Sequence, residues 1–469
     1  MASIVQRGKR YNVVYLYDAE DGKRKQKWES YKTLAEAKRR KSEVEYRQQM
    51  GNMVIPTCKT VADLMREYIE IYGKSTWSLS MYSSTDALVN HYILPLIGSM
   101  KLSDITSRVL EKYYMQLLQT PAVKKMTDKK YAKKKTEYVT AGTVKKVHTV
   151  LRSAFHQAVK WDLMEKNPAI YATVPKPEVH KREIWDAQTL FHALELCEDE
   201  RLKLAINLSF ACSMRIGEIL GLTWDCVDIT PESIRAGKAY VYINKELQRV
   251  NKTALSALDK KDVLRIFPDA TETNKTVLVL KKPKTATSTR KVFLPKTVAE
   301  MLVQWKCSQD ATKEDVGAEY KDYNLVVANA LGTPIEHSRI TALFQNLIET
   351  NDLPKVVFHS LRHSSITYKL KLNGGDIKAV QGDSGHAVAS MVTDQYSHIL
   401  DEDRKTNAAL IEEAFYSGKD LTPGGKKAAT EKDAETGQKQ ATLDPELLAK
   451  MLSNPELVAL LNTLVNSLK

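Results

Sequence analysis

Two basic side chains stand three residues apart in the segment Phe358-His359-Ser360-Leu361-Arg362-His363-Ser364-Ser365-Ile366-Thr367. On a helix, residues at this spacing project from one face. A metal site is disfavoured there, because the guanidinium of Arg362 would repel the metal ion. A phosphate suits the pair, since arginine offers planar bidentate donors and His359 can donate to a further oxygen. The segment therefore predicts a helix that binds phosphate.

A second arginine stands in the largely apolar stretch Phe210-Ala211-Cys212-Ser213-Met214-Arg215-Ile216-Gly217-Glu218-Ile219-Leu220. A helix is expected to begin after Ser213, and Glu218 lies three residues beyond Arg215, where it could hold the guanidinium. An unpaired buried charge is costly, so this arginine needs a partner. Two interpretations stay open here: a structural ion pair between Arg215 and Glu218, or a second cation that binds an anion.

Further along the chain, a histidine precedes a tyrosine by ten residues in Ser384-Gly385-His386-Ala387-Val388-Ala389-Ser390-Met391-Val392-Thr393-Asp394-Gln395-Tyr396. Either residue is ordinary alone, since the chain has 21 tyrosines and 10 histidines. Because they follow the two arginine segments in the chain, His386 and Tyr396 become candidate site residues.

Together, the three segments resemble the tyrosine site-specific recombinases of the phage integrase type. The family signature is an arginine at an apolar RxGE helix start, an HxxR box, and a Gly-His pair followed by a tyrosine. The matching residues here are Arg215 to Glu218, His359 to Arg362, and Gly385-His386 with Tyr396. A lysine on a β-hairpin completes the family set, and Lys284 matches it, between the predicted strands Thr276–Leu280 and Lys291–Leu294. The resemblance spans residues 183–415.

This resemblance implies a catalytic set of Arg215, Lys284, His359, Arg362, His386 and Tyr396. In the family, the tyrosine attacks a backbone phosphate and forms a 3′-phosphotyrosine. The arginines and histidines stabilise the phosphate, and the lysine protonates the leaving oxygen. Neither a metal nor ATP nor another cofactor is implied. Lys281, Lys282, Arg290 and Lys291 surround Lys284, so a neighbour could serve in its place.

The chain departs from the family pattern at two points. The spacing from His386 to Tyr396 is one residue longer than in many members, and Ser384 stands where a leucine often precedes the Gly-His pair. Neither departure removes a catalytic group, but the tyrosine segment can be set differently.

Charge and composition fit a nucleic-acid partner. A formal net charge of +13 favours a polyanion, either nucleic acid or an anionic membrane surface. The sequence lacks an apolar run of transmembrane length and a signal-peptide pattern, so a cytoplasmic protein without a membrane partner is expected. Five scattered cysteines predict reduced, mostly packed thiols and no metal site.

The fold class expected is multidomain and mainly α. Residues 1–55 predict a basic module, with a hairpin of Tyr11–Tyr17 and Lys23–Trp28 and a helix over Leu34–Gln49 that Thr33 and Glu36 cap. Its charge allows either a DNA-reading ribbon or a solvated capping module, and the family resemblance implies an arm-type DNA-binding module. Residues 56–174 predict an all-α core-binding domain, which Thr60 and Asp63 open with a second capping box.

The rest of the chain divides by composition. Residues 175–182 predict a linker, and residues 183–417 an α+β catalytic domain that closes on DNA as a clamp with the helical domain. A lysine-rich run at 124–135 predicts a loop, and 418–442 a disordered linker. Residues 443–469 predict two short leucine-rich helices that dock on a partner or on a second copy of the chain.

The resemblance implies double-stranded DNA attachment sites as substrate and a homotetramer on two duplexes, with directionality or DNA-bending factors as further partners. The N-terminal module favours integration and excision of a mobile element, either a prophage or a conjugative transposon. Two alternatives stay open: a catalytically silent DNA-binding architectural protein, and a DNA-relaxing enzyme of the type IB topoisomerase class.

Overall fold

A computed structural model describes residues 2–18, 24–49, 58–123, 137–178, 183–269, 273–390 and 392. These residues all belong to the first of two compact units, Met1–His398. The predicted nucleophile Tyr396, the lysine-rich run 124–135 and the predicted tail elements 418–442 and 443–469 lie outside the described residues. Among the described residues, no helix has the length and apolar character to cross a bilayer.

The N-terminal module is a three-stranded antiparallel sheet packed on one helix. Its elements are β1 (Ser3–Arg7), β2 (Arg10–Asp18), β3 (Arg24–Tyr31) and α1 (Leu34–Gln49). The capping box of Thr33 and Glu36 is present, as predicted. Strand β1 was not predicted; it reaches β2 through a tight turn in which Gly8 has a φ of +61°. Val13 and Tyr15 of β2 pack against Ala37 and Val44 of α1.

The region from 58 to 178 is helical, as predicted. It contains α2 (Val61–Glu67), α3 (Lys74–Thr76), α4 (Leu79–Leu88), α5 (Leu94–Ile97), α6 (Ser107–Leu118) and α7 (Ala141–Lys160). Two π-helical segments, Tyr68–Gly73 and Val89–Ile93, join α2 to α3 and α4 to α5. The second predicted capping box also forms, since Thr60 accepts from the backbone of Asp63 and the Asp63 carboxylate accepts from the backbone of Thr60.

The region from 183 onward mixes helices with two small sheets. Its elements are α8 (Ala187–Glu195), α9 (Glu200–Ala211), α10 (Ile216–Leu220), β4 (Val227–Asp228), α11 (Pro231–Arg235), β5 (Tyr240–Ile243), β6 (Glu246–Asn251), α12 (Lys252–Ala257), β7 (Val263–Ile266), β8 (Thr276–Lys281), β9 (Arg290–Phe293), α13 (Lys296–Val316), α14 (His337–Thr350), α15 (Phe358–Leu372) and α16 (Ile377–Ser384). Helix α9 is apolar on several faces and packs against α10, α13, α14 and α15. Four cysteines are buried and Cys307 is exposed, all as free thiols, as predicted.

The prediction that Lys284 stands on a β-hairpin is wrong. Strands β8 and β9 flank Lys284, but they belong to different antiparallel sheets: β8 is central in the order β6-β8-β7, and β9 pairs with β5 in the order β4-β5-β9. The burial patterns explain why. Strand β8 is apolar and buried along almost its whole length and takes a partner on each edge, whereas β9 alternates between buried and exposed positions.

The β6-β8-β7 sheet packs into the core of the helical region. Val250, Leu255 and Val279 share one apolar cluster with Trp77 and Tyr82. The ammonium group of Lys261 also donates to the backbone oxygen of Ser75, at 3.1 Å. The helical region and this part of the catalytic region therefore share one apolar cluster.

Candidate active site

Arg215 occupies the N-cap position of α10, as its place in the sequence suggests. Its backbone is extended, and its amide donates to the Glu218 carboxylate at 3.0 Å while its Nη1 donates to Oε1 of the same group at 2.7 Å. The predicted ion pair therefore forms. The Arg215 side chain is 33% exposed, whereas that of Glu218 is 2% exposed. The guanidinium lies at the surface while its carboxylate partner is buried.

The Glu218 carboxylate also binds a second guanidinium, which the sequence analysis did not assign to the site. Arg290 Nη2 lies 2.9 Å from Oε2 and Arg290 Nη1 lies 3.2 Å from Oε1, with the Arg290 side chain 6% exposed. Burial would raise the pKa of Glu218, but the charges of Arg290 and Arg215 outweigh it and lower the pKa to about 2. Glu218 is therefore ionised at neutral pH and shared by two arginines.

Arg362 lies on α15, and its side chain is enclosed by backbone carbonyls. Its Nη1 donates to the carbonyl of Ser213, and its Nη2 donates to the carbonyl of Ser384 at 2.6 Å. Ser213 has a φ of +53°, which turns the chain between α9 and α10. Arg362 is completely buried, so the two predicted arginines differ: Arg215 is partly open to solvent and Arg362 is not.

His386 contacts Arg362 directly. Its Nε2 lies 3.3 Å from Arg362 Nη2, and its Nδ1 lies 2.9 Å from the Ser384 hydroxyl. Burial, followed by the charge of Arg362, lowers the pKa of His386 to about 4. The ring is therefore neutral at pH 7. Because a guanidinium can only donate, Nε2 must accept, and the ring proton lies on Nδ1 and donates to Ser384. In this arrangement His386 orients Arg362.

Gly385 is the residue at which these segments meet. Its carbonyl accepts from Arg215 Nη2 at 3.4 Å, and its φ is +65°. A Cβ at this position would lie 2.9 Å from Arg290 Nη1 and 3.0 Å from the Thr287 carbonyl. Glycine satisfies both the left-handed backbone and the close approach. In this chain, backbone conformation and close packing therefore both require glycine at the first position of the Gly-His pair.

His359 is not buried, unlike Arg362 and His386. It lies on α15 three residues before Arg362, as predicted, but it is exposed. Its ring packs edge-to-face on His363, with centroids 4.8 Å apart at 90°. His359 is therefore at the surface of the helix whose buried face holds Arg362.

Lys284 is also exposed. It lies in the connection from β8 to β9 and lines a surface pocket of about 460 Å³ with Asn244, Lys245, Leu264, Lys282, Pro283, Thr285 and Thr289. The same connection reaches the buried group through Thr287, beside Gly385. Two of its basic neighbours are engaged elsewhere, since Lys281 is buried against Glu246 at 3.1 Å and Arg290 pairs with Glu218. Lys282 and Lys284 are the exposed cations of this connection.

The structure thus brings together Arg215, Arg362 and His386, with Glu218 and Arg290 as supporting groups. Tyr396 lies outside the described residues. The signal for Arg290 was available: it begins a strand of alternating burial, in which an arginine occupies an inward position and so requires a buried anion. Within the described ranges, no group of histidine, cysteine and acidic side chains could hold a metal ion.

Three separate family matches cover most of the chain. Residues 185–403 match the phage integrase family, residues 60–118 match the phage integrase N-terminal SAM-like domain, and residues 3–46 match an arm DNA-binding domain. The chain belongs to the phage integrase family. The predicted family and the multidomain, mainly α fold class are confirmed, and the integrase is an enzyme that cleaves and rejoins DNA strands.

Individual relatives are distant but nearly full-length. A "Tyrosine recombinase XerC-like" protein of Caldanaerobacter subterraneus subsp. tengcongensis is 25% identical over 417 residues, which cover 86% of the integrase and 96% of that protein. An integrase of Streptomyces ambofaciens is 22% identical over 405 residues, which cover 85% of this chain and 91% of that integrase. The solved structure of the Tn1549 transposon integrase with transposon right end DNA aligns with a TM-score of 0.56 at 16% identity. The alignment covers 76% of the present chain and 99% of the Tn1549 integrase chain in that structure. At this identity the structural likeness shows the fold.

Proposed function

We propose that this integrase inserts and excises a mobile element, a prophage or a conjugative transposon, by cutting and rejoining duplex DNA through a 3′-phosphotyrosine at Tyr396. The observation that carries the proposal is the buried group in which Arg362, His386 and the Glu218-linked Arg215 meet at Gly385. Relatives named as integrases and as a transposase of transposon Tn554 support a mobile element as the substrate.

The arginines supply the electrostatic part of the reaction. Attack on a phosphodiester adds negative charge to its non-bridging oxygens, and preorganised donors aimed at those oxygens lower the barrier. Arg215 presents a partly exposed guanidinium to this site. Arg362 is fully buried, so its contact with phosphate requires movement of the segments that cover it. The Ser384 carbonyl is next to Gly385, a residue with wide backbone freedom.

Proton transfers complete the cycle. Tyr396 attacks as its phenolate: the phenol proton is released to solvent, and the surrounding cations favour the ionised form. The new bond from the phenolate oxygen to phosphorus replaces the bond to the 5′ oxygen, so the energy of the phosphodiester is kept and the free 5′ hydroxyl of a partner strand can reverse the reaction. Neither metal nor ATP is then required. The leaving 5′ oxygen needs a proton, and Lys284 is the proposed acid, because it is exposed on a connection that touches the Gly385 segment through Thr287. His359, exposed on α15, would donate to a phosphate oxygen.

The substrate follows from the charge and from the three DNA-related family matches. We propose that the helical and catalytic regions close on duplex DNA as a clamp, while the N-terminal module binds separate arm sites. Four copies on two duplexes would then exchange strands. Directionality and DNA-bending factors would select integration or excision.

The test is trapping of the covalent intermediate. A nicked suicide duplex carrying the junction sequence from DNA that flanks the gene is incubated with the full chain and with Tyr396→Phe. The parent chain should form an adduct that denaturing electrophoresis detects, and Tyr396→Phe should bind the duplex without forming it. An adduct from Tyr396→Phe would overturn the nucleophile. Binding without adduct by the parent would favour an architectural protein, and relaxation of supercoils without sequence preference would favour a topoisomerase.

A further inference from the structure

We propose that Arg290 is a positioning residue for strand cleavage, which holds the segments of Arg215, Gly385-His386 and Lys284 in register. This inference rests on the proposed function of the same site. Arg290 is not among the residues that the family signature implies. At the start of β9 it follows Lys284 by six residues, but it lies far in sequence from Arg215 and from Gly385-His386.

The donors of Arg290 reach each of the three segments. Its Nη1 and Nη2 bind Glu218, which in turn holds Arg215. Its Nε donates at 2.7 Å to the carbonyl of Asp383, two residues before Gly385. Its Nη1 also donates at 2.9 Å to the carbonyl of Ser288, in the connection that carries Lys284. One planar guanidinium therefore fixes three backbone or carboxylate positions.

Close packing adds to these hydrogen bonds. Arg290 is 7% exposed, and its Nη1 and Cδ would lie 2.9 and 3.1 Å from a Cβ on Gly385. The α16 segment is held from its other side, where Lys369 binds the Asp383 carboxylate at 2.7 Å. The turn that presents His386 to Arg362 is thus built directly on the Arg290 side chain.

Arg290 also sets how strongly Glu218 holds Arg215. The carboxylate now divides its charge between two guanidinium groups, so that Arg215 keeps donor capacity for a phosphate. Without Arg290, the whole charge of Glu218 would act on Arg215 in a site of low solvent access, where such attraction is strong. Arg215 would then compensate the carboxylate at the expense of the phosphate. Loss of Arg290 should therefore slow cleavage through Glu218.

The experiment measures single-turnover adduct formation at saturating nicked duplex, together with duplex affinity and melting temperature, for the full chain and its variants. Arg290→Gln should slow adduct formation by about 100-fold, the cost of one misplaced transition-state donor, while duplex affinity stays at the parental value. Arg290→Lys keeps the charge but cannot make all the bonds, so it should recover part of the rate. Arg235→Gln is the matched control, because Arg235 forms an exposed ion pair with Glu232. It should behave as the parent.

The decisive readout is a double-mutant cycle with Glu218→Gln. If Arg290 acts through Glu218, the double variant should be little slower than Glu218→Gln alone. Fully additive losses would overturn the inference, and so would a parental rate in folded Arg290→Gln. A parallel fall in rate, affinity and melting temperature would mark a purely structural role and also overturn it. If Arg290→Gln fails to fold, Arg290→Lys replaces it in the cycle. A parent chain that forms no adduct would instead refute the proposed function, and this inference with it.

Discussion

Replacing Glu218 by glutamine should remove a defined, pH-dependent part of the stability of the catalytic region. The folded-state pKa of this carboxyl is lowered from 4.5 to about 2 by Arg290 and Arg215, against the opposing effect of burial. A lowered carboxyl pKa stabilises the folded state above the unfolded pKa, and the stabilisation is lost as the pH falls toward the folded pKa. This stabilisation is therefore lost as the pH falls from about 5 to about 2.

The size of the effect follows from the same pKa values. At about 1.4 kcal/mol for each pKa unit, the shift corresponds to about 3 kcal/mol of folding free energy at pH 6. Linkage between the two pKa values predicts that about 2 kcal/mol of this is already lost at pH 3. The carboxylate is almost fully buried, so solvent screening should reduce the value little. Glutamine cannot carry the charge, so its variant should lack this dependence.

The assay is urea unfolding of the full chain and of Glu218→Gln at pH 6, 5, 4 and 3, followed by tryptophan fluorescence. The catalytic region contributes Trp185, Trp224 and Trp305 as reporters. His386 titrates in an overlapping range, so the difference between parent and variant is the quantity to compare. That difference should shrink by about 2 kcal/mol from pH 6 to pH 3.

Glu232→Gln is the matched control, since the exposed pair of Glu232 and Arg235 should contribute no more than about 1 kcal/mol. A constant difference between parent and Glu218→Gln across the pH range would refute the argument. It would mean that the cost of the glutamine comes from packing, and that the two arginines do not stabilise the charged form of Glu218.

Two further predictions concern the packing around the site. Gly385→Ala should destabilise the catalytic region by about 1–2 kcal/mol in a melting experiment. A residue with a Cβ is strained at a φ of +65°, and the Cβ would also contact Arg290 and Thr287. An unchanged melting temperature would show that the turn can relax freely. Leu255→Ala should lower the free energy of unfolding by about 2–5 kcal/mol, because it opens a cavity in the apolar core shared with the helical region. It should also lower duplex affinity, while the adduct rate at saturating duplex stays at the parental value. Affinity equal to that of the parent in a binding titration would contradict the coupling of the two regions.

Local signals in the sequence predicted the helical parts well. Both capping boxes, at Thr33 and Thr60, form as expected, because each is a set of hydrogen bonds within four residues of chain. The pairing of Arg215 with Glu218 belongs to the same class of contact, at i, i+3. Such contacts need no knowledge of the rest of the fold.

Strand pairing was harder to predict, for a physical reason. The β-hairpin expected around Lys284 assumed that strands adjacent in sequence pair with each other. Strand β8 pairs instead with β6 and β7, which the sequence analysis did not assign, and β9 pairs with β5. The partner of a strand depends on which apolar faces must be covered in the folded chain. Here β6 and β8 are also needed to cover the helical region, so pairing was decided by tertiary packing.

Arg290 was not linked to the site, because its partners Glu218 and Asp383 lie far away in sequence and only the fold places them beside it. Its presence changes the charge balance of the site. Arg215 and Arg290 share the carboxylate of Glu218, and Arg362 lies against the neutral His386, so that these five groups together leave two positive charges. The proposed acid Lys284 adds its own charge only until it gives up its proton. A phosphodiester carries one negative charge, and its transition state for attack by a phenolate carries about two. A site with two surplus charges therefore matches the transition state better than the bound substrate, which is the condition for catalysis by differential binding. Glu218 therefore lowers the charge of the three arginines from three to two, close to the charge of the transition state.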